Sequence, residues 1–295
     1  MAVTAAATDL EPARRSPTRT RIKDALRRHP TAILGAVVLG LLILMAVLAP
    51  YLGTTDPEAI SPIRRLRTPS ETYWFGTDML GRDVYSRVVY GARVSLAVGL
   101  TVALLATVIG LALGLVTGFV RWLDGIVMRV MDGLMAIPGM LLAIALMALT
   151  TASLENVILA ITITEVPRVV RLIRSLVLSL REEPYVDAAI ASGTRTPLIL
   201  LRHILPNTVA PLLVQGTYIC ASAMLTEAIL SFLGAGTPPN IPSWGNIMAE
   251  GRSLFQIAGY LIFFPGLFLS LAVLSVNLLG DGMRDALDPR LARRM

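Results

Sequence analysis

The sequence predicts an all-α, polytopic membrane protein with six transmembrane helices, and three observations carry that expectation. The 295 residues are 55% hydrophobic, with a mean hydropathy of +0.69. Only 16% are charged, against about 25% in soluble domains. The apolar residues also fall in long uncharged runs bracketed by arginine, which is the pattern of spans.

The net charge of +6 comes from 26 basic and 20 acidic residues, and Lys23 is the sole lysine. The arginines flank apolar runs, so they read as membrane orientation, and no nucleic-acid partner is expected. One cysteine, Cys220, precludes an intramolecular disulfide. It sits in an apolar run, where an inert buried thiol is expected.

Residues 1–31 read as a basic cytoplasmic tail. The first span is placed at 32–52. Its charge-free stretch, Pro30 to Thr55, is longer than the apolar core of a cleaved signal peptide. Residues 53–92 are too polar to span and read as extracytoplasmic. Residues 93–283 read as a five-helix core and 284–295 as a second cytoplasmic tail.

Within the core, the second span runs Val94 to Val120, about 40 Å of helix against a hydrocarbon core of about 30 Å, so it must tilt or protrude. Gly110, Gly114 and Gly118 form a GxxxGxxxG face that lets another helix approach. The third span is placed at about Gly133 to Leu154, with Pro138 inside it, and the fourth begins near Glu155. The fourth carries Glu165, Arg168, Arg171 and Arg174. Glu165 is either a functional intramembrane acid or the partner of Arg168 one turn on. The fifth, Thr208 to Phe232, is interrupted by Glu227. The sixth, Ser253 to Gly280, contains Pro265. Between these two lies a segment rich in turn formers, GAGTPPNIPSWGNIMAEGR.

Six spans put both termini on one side. With the termini inside, 19 of the 26 basic residues face inward and seven outward, which favours cytoplasmic termini. The segment 53–93 dissents with six arginines.

Enzyme chemistry is hard to place. A phosphate-binding loop ends in Gly-Lys-Ser/Thr, and the sole lysine follows Ile22. The two histidines, His29 and His203, lie outside the spans, and one cysteine with two distant histidines makes no metal site. Neither a catalytic residue nor a metal ligand is expected.

The charged stretch EEPYVDAAIASGTRTPLILLRHILPN, Glu182 to Asn207, separates two spans. Pro184 suits a helix start, and Glu182 and Glu183 suit its positive end. Gly193 falls where a helix end wants positive φ. Thr196 can cap a second helix with Pro197 at its first position, and Pro206 then begins the next span. The local chemistry fits a helix–glycine–helix elbow or an ordinary helical loop.

From Asp187 this stretch resembles the EAA loop of ABC-importer permeases: Glu-Ala-Ala, three residues, Gly, nine residues, Ile, one residue, Leu-Pro. Here Asp187-Ala188-Ala189 precede Gly193, and nine residues on stand His203, Ile204, Leu205 and Pro206. Asp replaces Glu, and His replaces Ile. The RHILPN run is similar to the peptide-importer branch. FGTDMLGRDVYSRVVYGARVSL, Phe75 to Leu96, resembles that branch's GTDxxGRDxxSRxxxGxRxSL signature. LSFLGAGTPPNIPSWG and NLLGDGMRDALDPRL resemble its later loop and C-terminal end.

The resemblance implies a type I ABC importer permease fold and an ATP-driven importer of dipeptides or oligopeptides in the bacterial inner membrane. It implies a second homologous permease, two ATPase subunits or domains, and an extracytoplasmic substrate-binding protein. ATP and magnesium would be held by the partners and no cofactor by this chain. The elbow, with Tyr185, Val186, Asp187, Ala188, Ala189, Gly193, His203, Ile204, Leu205 and Pro206, would be the coupling helix that docks on an ATPase. In the outer signature, Gly76, Asp78, Gly81, Arg82, Asp83 and Arg87 would either meet the binding protein or gate, or brace the spans; the brace is the working expectation. Relatives with similar permeases carry nickel chelates or glutathione. An ion-coupled transporter or a passive channel would need no ATPase, and the inverted repeats common in ion-coupled transporters are not visible.

Overall fold

The structure, a computed structural model, describes residues 30–287. The basic residues expected inside 1–29 and the last residues of the C-terminal tail lie outside that range. The described chain is helical, with one isolated bridge between Thr77 and Asp83. Ten α-helices can be numbered along it: α1 (Pro30–Val47), α2 (Val84–Phe119), α3 (Arg121–Ala136), α4 (Gly139–Ala148), α5 (Leu154–Arg181), α6 (Pro184–Ala191), α7 (Thr196–Ile199), α8 (Leu205–Phe232), α9 (Trp244–Gly251) and α10 (Tyr260–Leu287).

Several boundaries differ from the expectation. The first helix stops at Val47, and a 3-10 turn covers Ala49–Tyr51. Pro50 lacks an N–H and crowds the residue before it, which ends the α-helix early. The second helix begins ten residues earlier than Val94, at Val84, because Asp83 caps it by accepting from the Ser86 N–H. Arg87 and Arg93 are therefore helical residues. The expected third span is broken: α3 and α4 meet at 90° around Ile137 and Pro138. The turn-rich segment after α8 contains a helix, α9, capped by Ser243. The last helix runs from Tyr260 to Leu287, past the expected tail boundary at 284.

By length and composition, α1, α2, the rod from Thr196 to Phe232, and α10 can each cross a membrane, and the bent α3–α4 pair is apolar enough to be either a broken span or a re-entrant loop. The expected fourth span is α5. Its 28 residues are long enough to cross, but its Glu and Arg residues lower its hydropathy, so it needs protein or water around it.

The core is organised by α2 against α5. Gly110, Gly114 and Gly118 lie against Val169, Ile173 and Val177 in turn, and a Cβ on each glycine would fall 2.4–2.6 Å from the facing Cβ. The pairs advance together by four residues, so the two helices run parallel in register. The glycine stripe lets backbones meet where side chains would hold them apart. At the C-terminal end of this seam, Arg181 donates to the Gly118 carbonyl at 3.1 Å. α8 packs against the other side of α2, with Gly99 under Met224 and Cys220. α1 lies on α10, where Gly35 meets the Ser275 carbonyl and Leu278.

Gly114→Ile should overpack this seam and cost about 1–3 kcal/mol, read as a lower thermal midpoint of the detergent-solubilised protein. Gly40→Ala, where an added Cβ meets nothing within 4 Å, should not lower the midpoint, because alanine is the better helix former.

Candidate functional site

The elbow begins where α5 ends. Pro184 occupies the first turn of α6, where its missing N–H is an orphan anyway. Asp187 adds an acidic residue to that turn. The helix closes on a Schellman motif. Gly193 N–H donates to the Ile190 carbonyl at 2.9 Å, and Thr194 N–H to the Ala189 carbonyl at 3.1 Å. Gly193 has φ +76°, as the sequence predicts, and an added Cβ there would meet nothing within 4 Å. Backbone conformation alone therefore calls for glycine.

Beyond Gly193 the joint differs from the expected one. Arg195, not Thr196, stands at the N-cap, with no side-chain cap; Thr196 is the first helical residue. The helix does not restart at Pro206. A π turn, Leu200–Ile204, joins α7 to α8, and the Leu205 N–H reaches back to the Leu200 carbonyl. Thr196 to Phe232 is one 37-residue rod. The wide turn sits immediately before Pro206, which has no N–H to give the ladder.

The elbow's residues are brought together in part. The Tyr185 and His203 rings lie 6.3 Å apart, and Asn207 Nδ2 donates to Tyr185 Oη at 3.5 Å. Val186 and Ile204 are fully buried, whereas Tyr185 and Ile190 are exposed. Ala188 and Ala189 lie on the same short helix, and Leu205 begins α8.

At the other end lies a buried ion-pair network. Asp78 accepts from Arg82 Nε at 2.6 Å and from Arg87 Nη1 at 2.5 Å. Backbone N–H groups of Leu80 and Arg82 also donate to it. Glu250 on α9 takes Arg82 Nη2 at 2.7 Å and Arg87 Nη1 at 2.8 Å. Burial pushes the Asp78 carboxyl up. Arg87, the Arg82 N–H and the Arg82 guanidinium outweigh that and hold it below its ordinary range. Gly81, at φ +74°, lets the loop fold over Ser61, whose carbonyl would lie 1.9 Å from an added Cβ. Gly76 packs on Tyr260 and has φ +78°. Asp83 serves the α2 cap instead of the network.

Sequence reasoning missed Glu250, which lies 168 residues from Arg82 and carries no local signal. It also left Trp244 and Glu227 without a role. Trp244 is fully buried, and its Nε1–H donates to the Val88 carbonyl at 3.0 Å, pinning α9 to α2. Glu227 is buried within α8 and does not interrupt it; Ser231 Oγ donates to it at 2.8 Å. Among the described residues no group of His, Cys, Asp and Glu could hold a metal.

Residues 106–293 match the family described as the binding-protein-dependent transport system inner membrane component. Residues 20–69 match the N-terminal transmembrane domain of oligopeptide transport permease C. The chain is 54% identical over 280 residues to a probable peptide ABC transporter permease of Sinorhizobium fredii, covering 95% of this chain and 96% of the relative. It is 43% identical over 277 residues to the dipeptide transport system permease DppC of Alkalihalophilus pseudofirmus, covering 94% and 91%. It is 42% identical over 279 residues to the glutathione transport system permease GsiD of Pectobacterium atrosepticum, covering 94% and 92%. A solved inward-facing structure of the MetNI methionine ABC transporter shares the fold, with TM-score 0.54 and 19% identity over 68% of this chain and 96% of that one.

The chain therefore belongs to the inner-membrane components of binding-protein-dependent transport systems. It is a multi-pass, non-catalytic permease subunit of an ABC importer, a machine that also has an ATPase and a substrate-binding protein.

Asp78→Asn should destabilise the protein by about 3–5 kcal/mol, because Arg82 and Arg87 lose a buried partner. The folded Asp78 pKa is depressed, so the wild-type advantage over Asp78→Asn should be full above about pH 4. It should shrink as pH falls further, through the folded pKa. Thermal midpoints of both proteins across that range check this.

Proposed function

We propose that this chain is one half of the membrane channel of an ATP-driven importer of dipeptides or oligopeptides, moved by its ATPases through the elbow. The carrying observation is the Schellman-closed α6, held between two long rods, α5 and the helix from Thr196 to Phe232. Its partly apolar exposed surface, Tyr185 and Ile190, suits a groove on another protein. A push on such a short helix reaches two spanning rods without a flexible linker to absorb it.

The other half of the channel is a second, homologous permease, and two ATPase subunits or domains hold the ATP and magnesium. An extracytoplasmic binding protein delivers the peptide. Peptide as cargo is supported by the names of the Sinorhizobium and Alkalihalophilus relatives. The glutathione permease relative supports a second reading, the same machinery with that cargo. Cytoplasmic termini and a cytoplasmic elbow are supported by the inward bias of 19 of the 26 basic residues. The Asp78–Arg82–Arg87–Glu250 network acts as a brace that holds the outer loop and α9 on the end of α2.

Gly193→Val tests the coupling. A left-handed conformation costs a non-glycine residue about 1–2 kcal/mol, and more if β-branched. That is comparable with a coupling free energy of about 1–3 kcal/mol. In vesicles holding the assembled transporter, Gly193→Val and Asp187→Arg should each lower ATP-driven peptide uptake about tenfold at unchanged membrane levels. In a Cys220→Ser background, Ile190→Cys should resist an impermeant thiol reagent added outside. Both variants transporting at the wild-type rate would remove the elbow from the mechanism, and ATP-independent uptake would indicate an ion-coupled carrier.

A further inference from the structure

Glu165 and Arg168 lie midway along α5. Val169 faces Gly110 of α2, and Gly110 is ten residues from the end of the charge-free run at Val120. The whole run, Val94 to Val120, is about 40 Å long against a core of about 30 Å, and with its centre at the bilayer centre Gly110 lies within about 5 Å of the midplane. The pair therefore sits near the bilayer midplane.

The two charges are held very differently. The Glu165 side chain is only 6% exposed and accepts from Ser222 Oγ of α8 at 3.2 Å. The Arg168 side chain is 45% exposed. Both of its contacts to Glu165, at 3.1 and 3.2 Å, use Nη1. Nε and Nη2 make no hydrogen bond among the described residues, so half of the guanidinium fork is open. An open guanidinium at that depth cannot face lipid; it faces protein or water. From there toward the cytoplasmic end, Arg171 pairs with Asp132 at 2.6 Å, and Arg174 pairs with Asp124 of α3. Charged residues thus wind around α5 from Glu165 toward the elbow, each of these arginines paired with an acid.

We propose that Arg168 lines a water-filled translocation path and takes the carboxylate of a peptide in transit, with Glu165 and Ser222 as positioning residues. This rests on the reading of the chain as a peptide permease. A planar guanidinium fork matches a carboxylate. Nη1 is held by Glu165 while Nε and Nη2 stay available. The acid beside it keeps the site from becoming a trap: the passing carboxylate meets a cation already shared with Glu165, so binding is weak enough to release.

Two measurements on the assembled transporter in vesicles, in a Cys220→Ser background, test this. The first compares Arg168→Cys with Val108→Cys. Val108 is exposed on α2 at nearly the same depth, two residues before Gly110. A charged, water-borne methanethiosulfonate should modify position 168 at least about tenfold faster, because such reagents concentrate in aqueous clefts. Equal rates overturn the path. The second is ATP-driven uptake of radiolabelled trialanine by Arg168→Gln, Arg168→Lys and the double variant Glu165→Gln/Arg168→Gln. Arg168→Gln should lower uptake about tenfold, as loss of one charge-assisted contact does. Arg168→Lys, which keeps the charge but not the fork, should recover only part of it, and the double variant should stay low. Recovery in the double variant would mean that Arg168 only neutralises Glu165, which overturns the proposal. Failure of the wild-type complex to couple uptake to ATP would instead count against the permease reading, and the labelling comparison stands apart from it.

Discussion

The close approach of α2 and α5 is the constraint on which the rest of the structure depends. Three glycines at spacing four remove the side chains that would keep the helices apart, and Val169, Ile173 and Val177 fill the groove they leave. In lipid there is no hydrophobic force between helices, so close van der Waals contact must hold the pair. The Arg181 contact to the Gly118 carbonyl closes the same seam at its C-terminal end, two residues before Glu183, the N-cap of α6. The elbow is thus attached to a double rod and not to a single helix. The charges on α5, which would be costly on an isolated span, are paired: Arg168 with Glu165, Arg171 with Asp132 and Arg174 with Asp124.

The two ends of this rod are stiffened by different physics. At the elbow, backbone hydrogen bonds and one left-handed glycine fix the direction of α6. At the opposite end, Asp78 and Glu250 share two arginines, and Trp244 reaches the Val88 carbonyl. That network draws its members from the loop before α2, from α2 itself and from α9. Removing one charge strands the others in a low dielectric, so that end should resist bending.

Much of this was legible in the sequence. The uncharged runs placed the long helices, the GxxxGxxxG stripe announced a helix contact, and Gly193 announced positive φ. The EAA-like spacing placed the elbow in the family pattern. The illegible parts were those decided by partners far along the chain. Glu250 gives no local sign that it will meet Arg82 and Arg87. The stripe did not name α5 as its partner. Pro138 was read as lying inside a span, although a residue before proline resists the α region, and the helix turns through 90° there. Conversely, Pro206 looked like a helix start, yet the π turn before it carries the helix through.

The central claim is that α2, α5 and the elbow move as one body when ATP is bound. Spin labels at Val116→Cys on α2, Leu178→Cys on α5 and Ile190→Cys on α6, taken in pairs in a Cys220→Ser background, measure it directly by electron–electron double resonance. All three side chains are exposed. In the assembled transporter, the three distances should stay the same between the nucleotide-free and ATP-trapped states. A change in the Val116–Leu178 distance approaching one helical turn, about 5 Å, would show that the helices slide past each other and would contradict the account.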